Sequence, residues 1–186
     1  MSVKRIPYEG DDMRQKKVVP VVLVYLFGYV KGVPHVLLVR RGEHVAYMQN
    51  MWSTIAGVVN RGFDFVRQTL VEVAGETGLL QNEVSKPGKI GTFEDLDEAN
   101  KKTWIRTLMF ATVLKSANNP DELGVRLDWE HREAAWMPVS TVLEWLSGKL
   151  PEDPVAWAIL RDEPQTPDFR LNLERARAVM VEKLSQ

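Results

Sequence analysis

The most constraining stretch of this sequence is residues 57–79 (GVVNRGFDFVRQTLVEVAGETGL), where the apolar pattern changes its period. Residues 52–59 (WSTIAGVV) lead into it as a strand of apolar and β-branched side chains. Beyond a loop, Asp64 is placed to cap a helix, with Val66, Leu70, Val73 and Thr77 on one face. Gly78 is a natural stop for that helix. The helix carries Glu72 and Glu76, four residues apart and therefore on one side. A strand, a loop and a capped helix bearing paired carboxylates follow one another without a spare residue.

The rest of the chain is compatible with an ordinary folded protein built around this unit. Its 186 residues suffice for one domain with a full core and are short for two. A net charge of −1 supplies no field that would draw it to nucleic acid or to an anionic membrane. There is no cysteine, which removes disulfides, thiolate nucleophiles and Cys-ligated zinc together. The longest apolar run, residues 18–30 (VVPVVLVYLFGYV), is broken by Pro20 and Gly28 and is shorter than the roughly 20 residues a bilayer needs. The first residues lack the apolar middle of a signal peptide, so the expectation is a cytoplasmic protein.

Strands are expected at residues 20–29 and 35–40, joined by a turn at 31–34, with a loop at 41–51. Further strands are expected at 89–93, 103–114 and 134–138. The acidic run Glu94, Asp95, Asp97 and Glu98 reads as a solvated turn. Thr141 and Glu144 have capping-box spacing for a short helix through Trp145, and Asp153-Pro154 opens another through Leu160. Thr166-Pro167 repeats that device for a last helix, where Phe169, Leu173, Ala176, Met180 and Leu184 keep helical spacing. No linker or repeat divides the chain. One domain is expected over 1–186, with an N-terminal arm at 1–17, a core at 18–145, and C-terminal helices at 151–186 packing on that core.

Residues 57–79 resemble the Nudix box, a glycine, five residues, a glutamate, seven residues, then R-E-apolar-x-E-E-x-G-apolar. Gly57, Glu72, Glu76 and Gly78-Leu79 match this frame without a gap, and Gly62 matches a glycine common in its loop. The resemblance extends over about residues 18–145. Residues 52–57 (WSTIAG) resemble the strand entering the box, and residues 129–138 (WEHREAAWMP) a later segment of the family. It implies an α/β (α+β) Nudix fold, a mixed β-sheet sandwiched between helices. It also implies a hydrolase of nucleoside diphosphates linked to another group, in which Glu72 and Glu76 are catalytic and ligate Mg²⁺ or Mn²⁺.

Three positions depart from the box. Phe63 stands where its first glutamate belongs, Val71 replaces the arginine, and Gly75 replaces the middle glutamate. With two carboxylates left, a cation would bind weakly or not at all, and turnover is expected to be very slow or lost. The losses fall on one side of the helix, which suggests a pocket wall rebuilt from charged to apolar. The alternative function is therefore a non-catalytic scaffold, natural or engineered, or one with a new metal-independent activity. Its pocket would take a small molecule or partner at Gly57, Phe63, Val71, Gly75 and Trp52. The ligand is expected to be nucleotide-like, with no nucleic-acid or membrane partner, and the protein a monomer or homodimer. Outside the Nudix frame, Glu72 and Glu76 would read as a solvated helix face, and Ser53 with His44 is a weak hydrolytic pair without a signature.

Overall fold

The computed structural model describes residues 18–97 and 101–186. The expected arm at 1–17 and Glu98 of the acidic run lie outside them. Seven strands among these residues form one mixed sheet. They are β1 (Val18–Val30), β2 (Val33–Arg41), β3 (Trp52–Ser53), β4 (Ile55–Val58), β5 (Gly88–Asp97), β6 (Lys102–Ala117) and β7 (His131–Pro138). The long path runs β3-β2-β1-β6-β5, with β4 added to β1 and β7 to β2. β1 and β6 are parallel and the other pairs antiparallel, so the buried central strands read as near-continuous apolar runs. The run broken by Pro20 and Gly28 is thus a sheet strand buried over most of its length.

Helices cover both faces. α1 (Phe65–Thr77) lies on one, where Val22, Val24, Leu26, Val39, Ile55 and Val73 form a core. On the other lie α2 (Val139–Leu146), α3 (Pro154–Trp157), α4 (Phe169–Arg175) and α5 (Arg177–Leu184). There Phe27, Leu38, Trp145, Phe169, Leu173 and Met180 share a second core. The mixed sheet between helices is as expected. No helix of the described residues is long and apolar enough to cross a membrane.

The segment expected as one strand at 52–59 is two short strands, because β3 pairs with β2 while β4 pairs with β1. Glu94, Asp95 and Asp97 are in β5 rather than in a turn, paired across to β6. α2 starts at Val139, so Thr141 lies inside it and makes no capping box. Asp153 does cap, accepting from the Ala156 N–H at 2.8 Å, and the helix it opens passes into a π-turn over Ala158–Asp162. The last expected helix is two, broken at Ala176, and α4 opens at Asp168 without a side-chain cap. Its spacing residues Phe169, Leu173, Ala176 and Met180 are buried, whereas Leu184 is exposed.

α1 is set by its ends. Asp64 takes extended backbone geometry and its Oδ1 accepts the Arg67 N–H at 2.7 Å. Gly78 adopts the left-handed conformation (φ 70°) that ends a helix with least strain in glycine, and its N–H reaches the Ala74 carbonyl. Replacing Asp64 by Ala should cost about 1 kcal/mol. That lowers the thermal midpoint by roughly 2–4 °C for a chain of this size. A midpoint unchanged in calorimetry would show that the cap carries no weight.

Candidate functional site

α1 turns to the sheet the apolar face its spacing suggests, with a polar strip beside it. Val73 and Thr77 are buried and Val66 and Leu70 half-buried against the same core, and the helix also buries Gln68, Thr69, Glu72 and Glu76. Buried polar groups without partners cost about 1–3 kcal/mol each, so the wiring of this face matters. Thr69 and Thr77 donate their hydroxyls to the Phe65 and Val73 carbonyls at 2.7 and 2.6 Å. Gln68 donates from Nε2 to Glu72 Oε1 at 2.5 Å, and its own Oε1 accepts the Asn60 N–H at 2.9 Å.

Glu72 lies directly on β4. A Cβ built on Gly57 would overlap its carboxylate, so only glycine at 57 lets this side chain reach its place. One turn on, Glu76 Oε1 accepts the Ala56 N–H at 3.4 Å. Its Oε2 is buried without a hydrogen-bond partner and lies 3.5 Å from His131 Nε2. On its far side, His131 Nδ1 is 3.2 Å from Asp128 Oδ1, which also accepts the Glu130 N–H. Half-buried Asp128 and buried His131 and Glu76 therefore form a row ending beside Glu72. Burial holds the Glu76 carboxyl well above its usual range, and the negative charges of Glu72, Asp128 and Glu130 push it the same way.

The expected ligand residues do not meet in one cavity. Trp52 is 1% exposed, with its indole N–H on Glu163 at 2.6 Å, so its ring belongs to the core. Phe63 is half-buried under the Arg67 guanidinium, 3.8 Å from the ring centre. Val71 is 41% exposed, and a Cβ at Gly75 would meet nothing within 4 Å. These two sit on the outward face of α1, away from the carboxylates. Val71 borders a shallow groove of about 560 Å³ that Val66, Arg67 and Leu70 also line. Asp95 offers no further carboxylate to Glu72 and Glu76. It is held by Arg106 (3.3 Å) and Arg175 (3.6 Å), and Arg175 stacks over Phe93 on the side of the C-terminal helices. The Ser53 hydroxyl donates to the Thr54 carbonyl, and His44 is solvent-exposed against Glu43, so no Ser–His pair forms.

A divalent cation fits poorly between the two glutamates. Mg²⁺ takes six oxygens in near-octahedral geometry. Among the described residues, no three His, Cys, Asp or Glu side chains converge as a metal-holding group. One oxygen of each carboxylate already receives an N–H, from Gln68 and from Ala56. The sequence pointed to both glutamates, but it missed His131 and Gln68 as their neighbours. The signal for Gln68 was its place one turn before Glu72.

With this geometry in view, three solved structures are similar along nearly their whole length. The MutT protein from Methanosarcina mazei Go1 is 23% identical with a TM-score of 0.55, over 87% of this chain and 96% of that one. The Nudix hydrolase RenU from M. smegmatis is 16% identical with a TM-score of 0.60, over 88% and 86%. The Nudix domain of Shewanella oneidensis NrtR, complexed with ADP ribose, is 18% identical with a TM-score of 0.56, over 95% and 94%. The chain has the Nudix fold. No protein-family model matches its sequence, and no curated protein matches it. α1 lies on β1 and β4, where Glu72 meets Gly57 and Glu76 meets the Ala56 N–H.

Gly57 and Gly75 make opposite predictions. Gly57→Ala forces a methyl into the Glu72 carboxylate and should cost about 1–3 kcal/mol. Gly75→Ala adds a better helix former into open space and should gain about 1 kcal/mol. Denaturant melts of both variants would contradict this packing if the two shifts had the same sign.

Glu76 also sets a pH dependence. Its folded carboxyl binds a proton more tightly than the unfolded one, so the contribution of Glu76 to stability is greatest below the ordinary value of 4.5. That stability is lost as pH rises from there through the raised folded value. Glu76→Gln, which cannot ionise, should therefore stabilise the protein at neutral pH in EDTA, with the gain shrinking toward pH 4. A gain that is flat with pH would mean that Glu76 titrates normally.

Proposed function

We propose that this Nudix-fold chain binds a nucleotide-like small molecule, a nucleoside diphosphate linked to another group, and hydrolyses it weakly or not at all. One observation carries the reading, namely that the Glu72 carboxylate is tied to the buried Gln68 amide rather than left open toward a cation. Burial, which raises the pKa of the Glu76 carboxyl, weakens the pair further as a cation ligand. Val71 brings no charge where the box has arginine, and Gly75 brings no third carboxylate. That the NrtR Nudix domain holds ADP ribose supports the class of ligand. We read Glu72 and Glu76 as what remains of the catalytic and Mg²⁺ or Mn²⁺ site, and the chain as one domain with its C-terminal helices packed on the core.

A second reading has its own support. Val71, Val66 and Leu70 present an apolar groove of about 560 Å³ on the outward face of α1, suited to a small molecule or partner without any cation. A Val71→Arg variant should abolish ligand binding on this reading and leave it nearly unchanged on the first.

With Mg²⁺ or Mn²⁺ and a panel of nucleoside diphosphates linked to sugars, nucleosides or phosphates, product release should not exceed that of the Glu72→Gln, Glu76→Gln double variant. ADP ribose should bind, by calorimetry, equally in EDTA and in Mg²⁺. Turnover in the usual enzyme range of about 1–10³ s⁻¹, abolished in the double variant, would overturn the proposal.

A further inference from the structure

Gln68 is fully buried, and both ends of its amide are used. Its oxygen accepts the Asn60 N–H at 2.9 Å and its NH₂ donates to Glu72 Oε1 at 2.5 Å. Turning the amide over would set its oxygen against the Glu72 oxygen and its NH₂ against the Asn60 N–H. Both contacts would then be repulsive, so the loop backbone at Asn60 dictates which end faces the carboxylate. The spacing is one helical turn, so the two side chains meet on the buried face of α1. Gly57 closes the other side of the Glu72 carboxylate.

We infer that Gln68 is the positioning residue of this site. Its amide, aimed by Asn60, holds the Glu72 carboxylate against Gly57 and supplies the positive counterpart that a divalent cation would otherwise supply. His131 stands at the other end of the row. Its imidazole is buried between Glu76 Oε2 and Asp128 Oδ1, at 3.5 and 3.2 Å. The loop of residues 60–64 is thereby coupled to the site, because the backbone that enters α1 also orients Gln68. This role presupposes the cation-independent site proposed above.

Thermal unfolding of the full chain in EDTA and in Mn²⁺ separates the two ideas. The wild-type midpoint should be the same in both. Gln68→Leu, similar in bulk but without the amide, should lower the midpoint in EDTA by roughly 4 °C or more. It should also recover at least half of that loss in Mn²⁺, since the released carboxylates then gain from a cation. Gln68→Glu should be the least stable in EDTA and show the largest rise with Mn²⁺. If Gln68→Leu does not fold in either condition, Gln68→Asn, which keeps the amide but draws it back by one methylene, is judged by the same two numbers. A Gln68 variant with an unchanged midpoint, or one destabilised with no response to Mn²⁺, overturns the role of Gln68 while leaving the proposed function standing. A wild-type midpoint raised by Mn²⁺ overturns both.

Discussion

The contact on which the rest of the site depends is the Glu72 carboxylate lying on the bare backbone of Gly57. It fixes how closely α1 approaches β4, and hence which of its residues are buried. Because a carboxylate rather than a methyl group fills that contact, the neighbouring buried positions must carry its hydrogen-bond partners. Gln68 and the Asn60 N–H complete this arrangement on one side, and Glu76, His131 and Asp128 extend it on the other. The helix is therefore held on the sheet by a polar seam, flanked by the apolar contacts of Val73, Ile55 and Val22.

A seam of this kind has a functional consequence. Buried polar groups are stabilising only when their partners are present, and an ion that displaced Gln68 would have to offset the lost hydrogen bond and the desolvation of the cation. Two carboxylates are few ligands for that task. The residues at 63, 71 and 75 act in the same direction. Gly75 and Val71 bring no charge to the outward face of α1, and Phe63 places an aromatic ring under Arg67.

Much of the fold was legible because its signals are local. The Asp64 cap, the Gly78 stop, the apolar runs of β1, β2 and β6 and the spacing of Phe169, Leu173 and Met180 each act within a few residues. The polar part of the buried face of α1 was not legible in this way. Apolar spacing pointed to Val66, Leu70, Val73 and Thr77, which do pack on the core, but not to Gln68, which is buried beside Glu72 where Gly57 leaves room for a polar side chain. Trp52 was expected beside a ligand, but the Glu163 carboxylate, 111 residues away in sequence, draws its indole into the core. The acidic run at 94–97 was expected to be a solvated turn, and it is strand because β6 pairs with it, with Glu94 exposed. Pairing between distant segments decided each of these, and no window of sequence contains it.

The central claim is that Glu72 is held by Gln68 and not by a cation. The most direct measurement is the side-chain amide signal of Gln68 in ¹⁵N-labelled protein, followed by NMR as Mn²⁺ is added below stoichiometry. The account predicts a slowly exchanging NH₂ pair whose line widths do not change with Mn²⁺. Selective broadening of that pair, with a new position for the remaining signal, would show a cation at Glu72 and contradict the account.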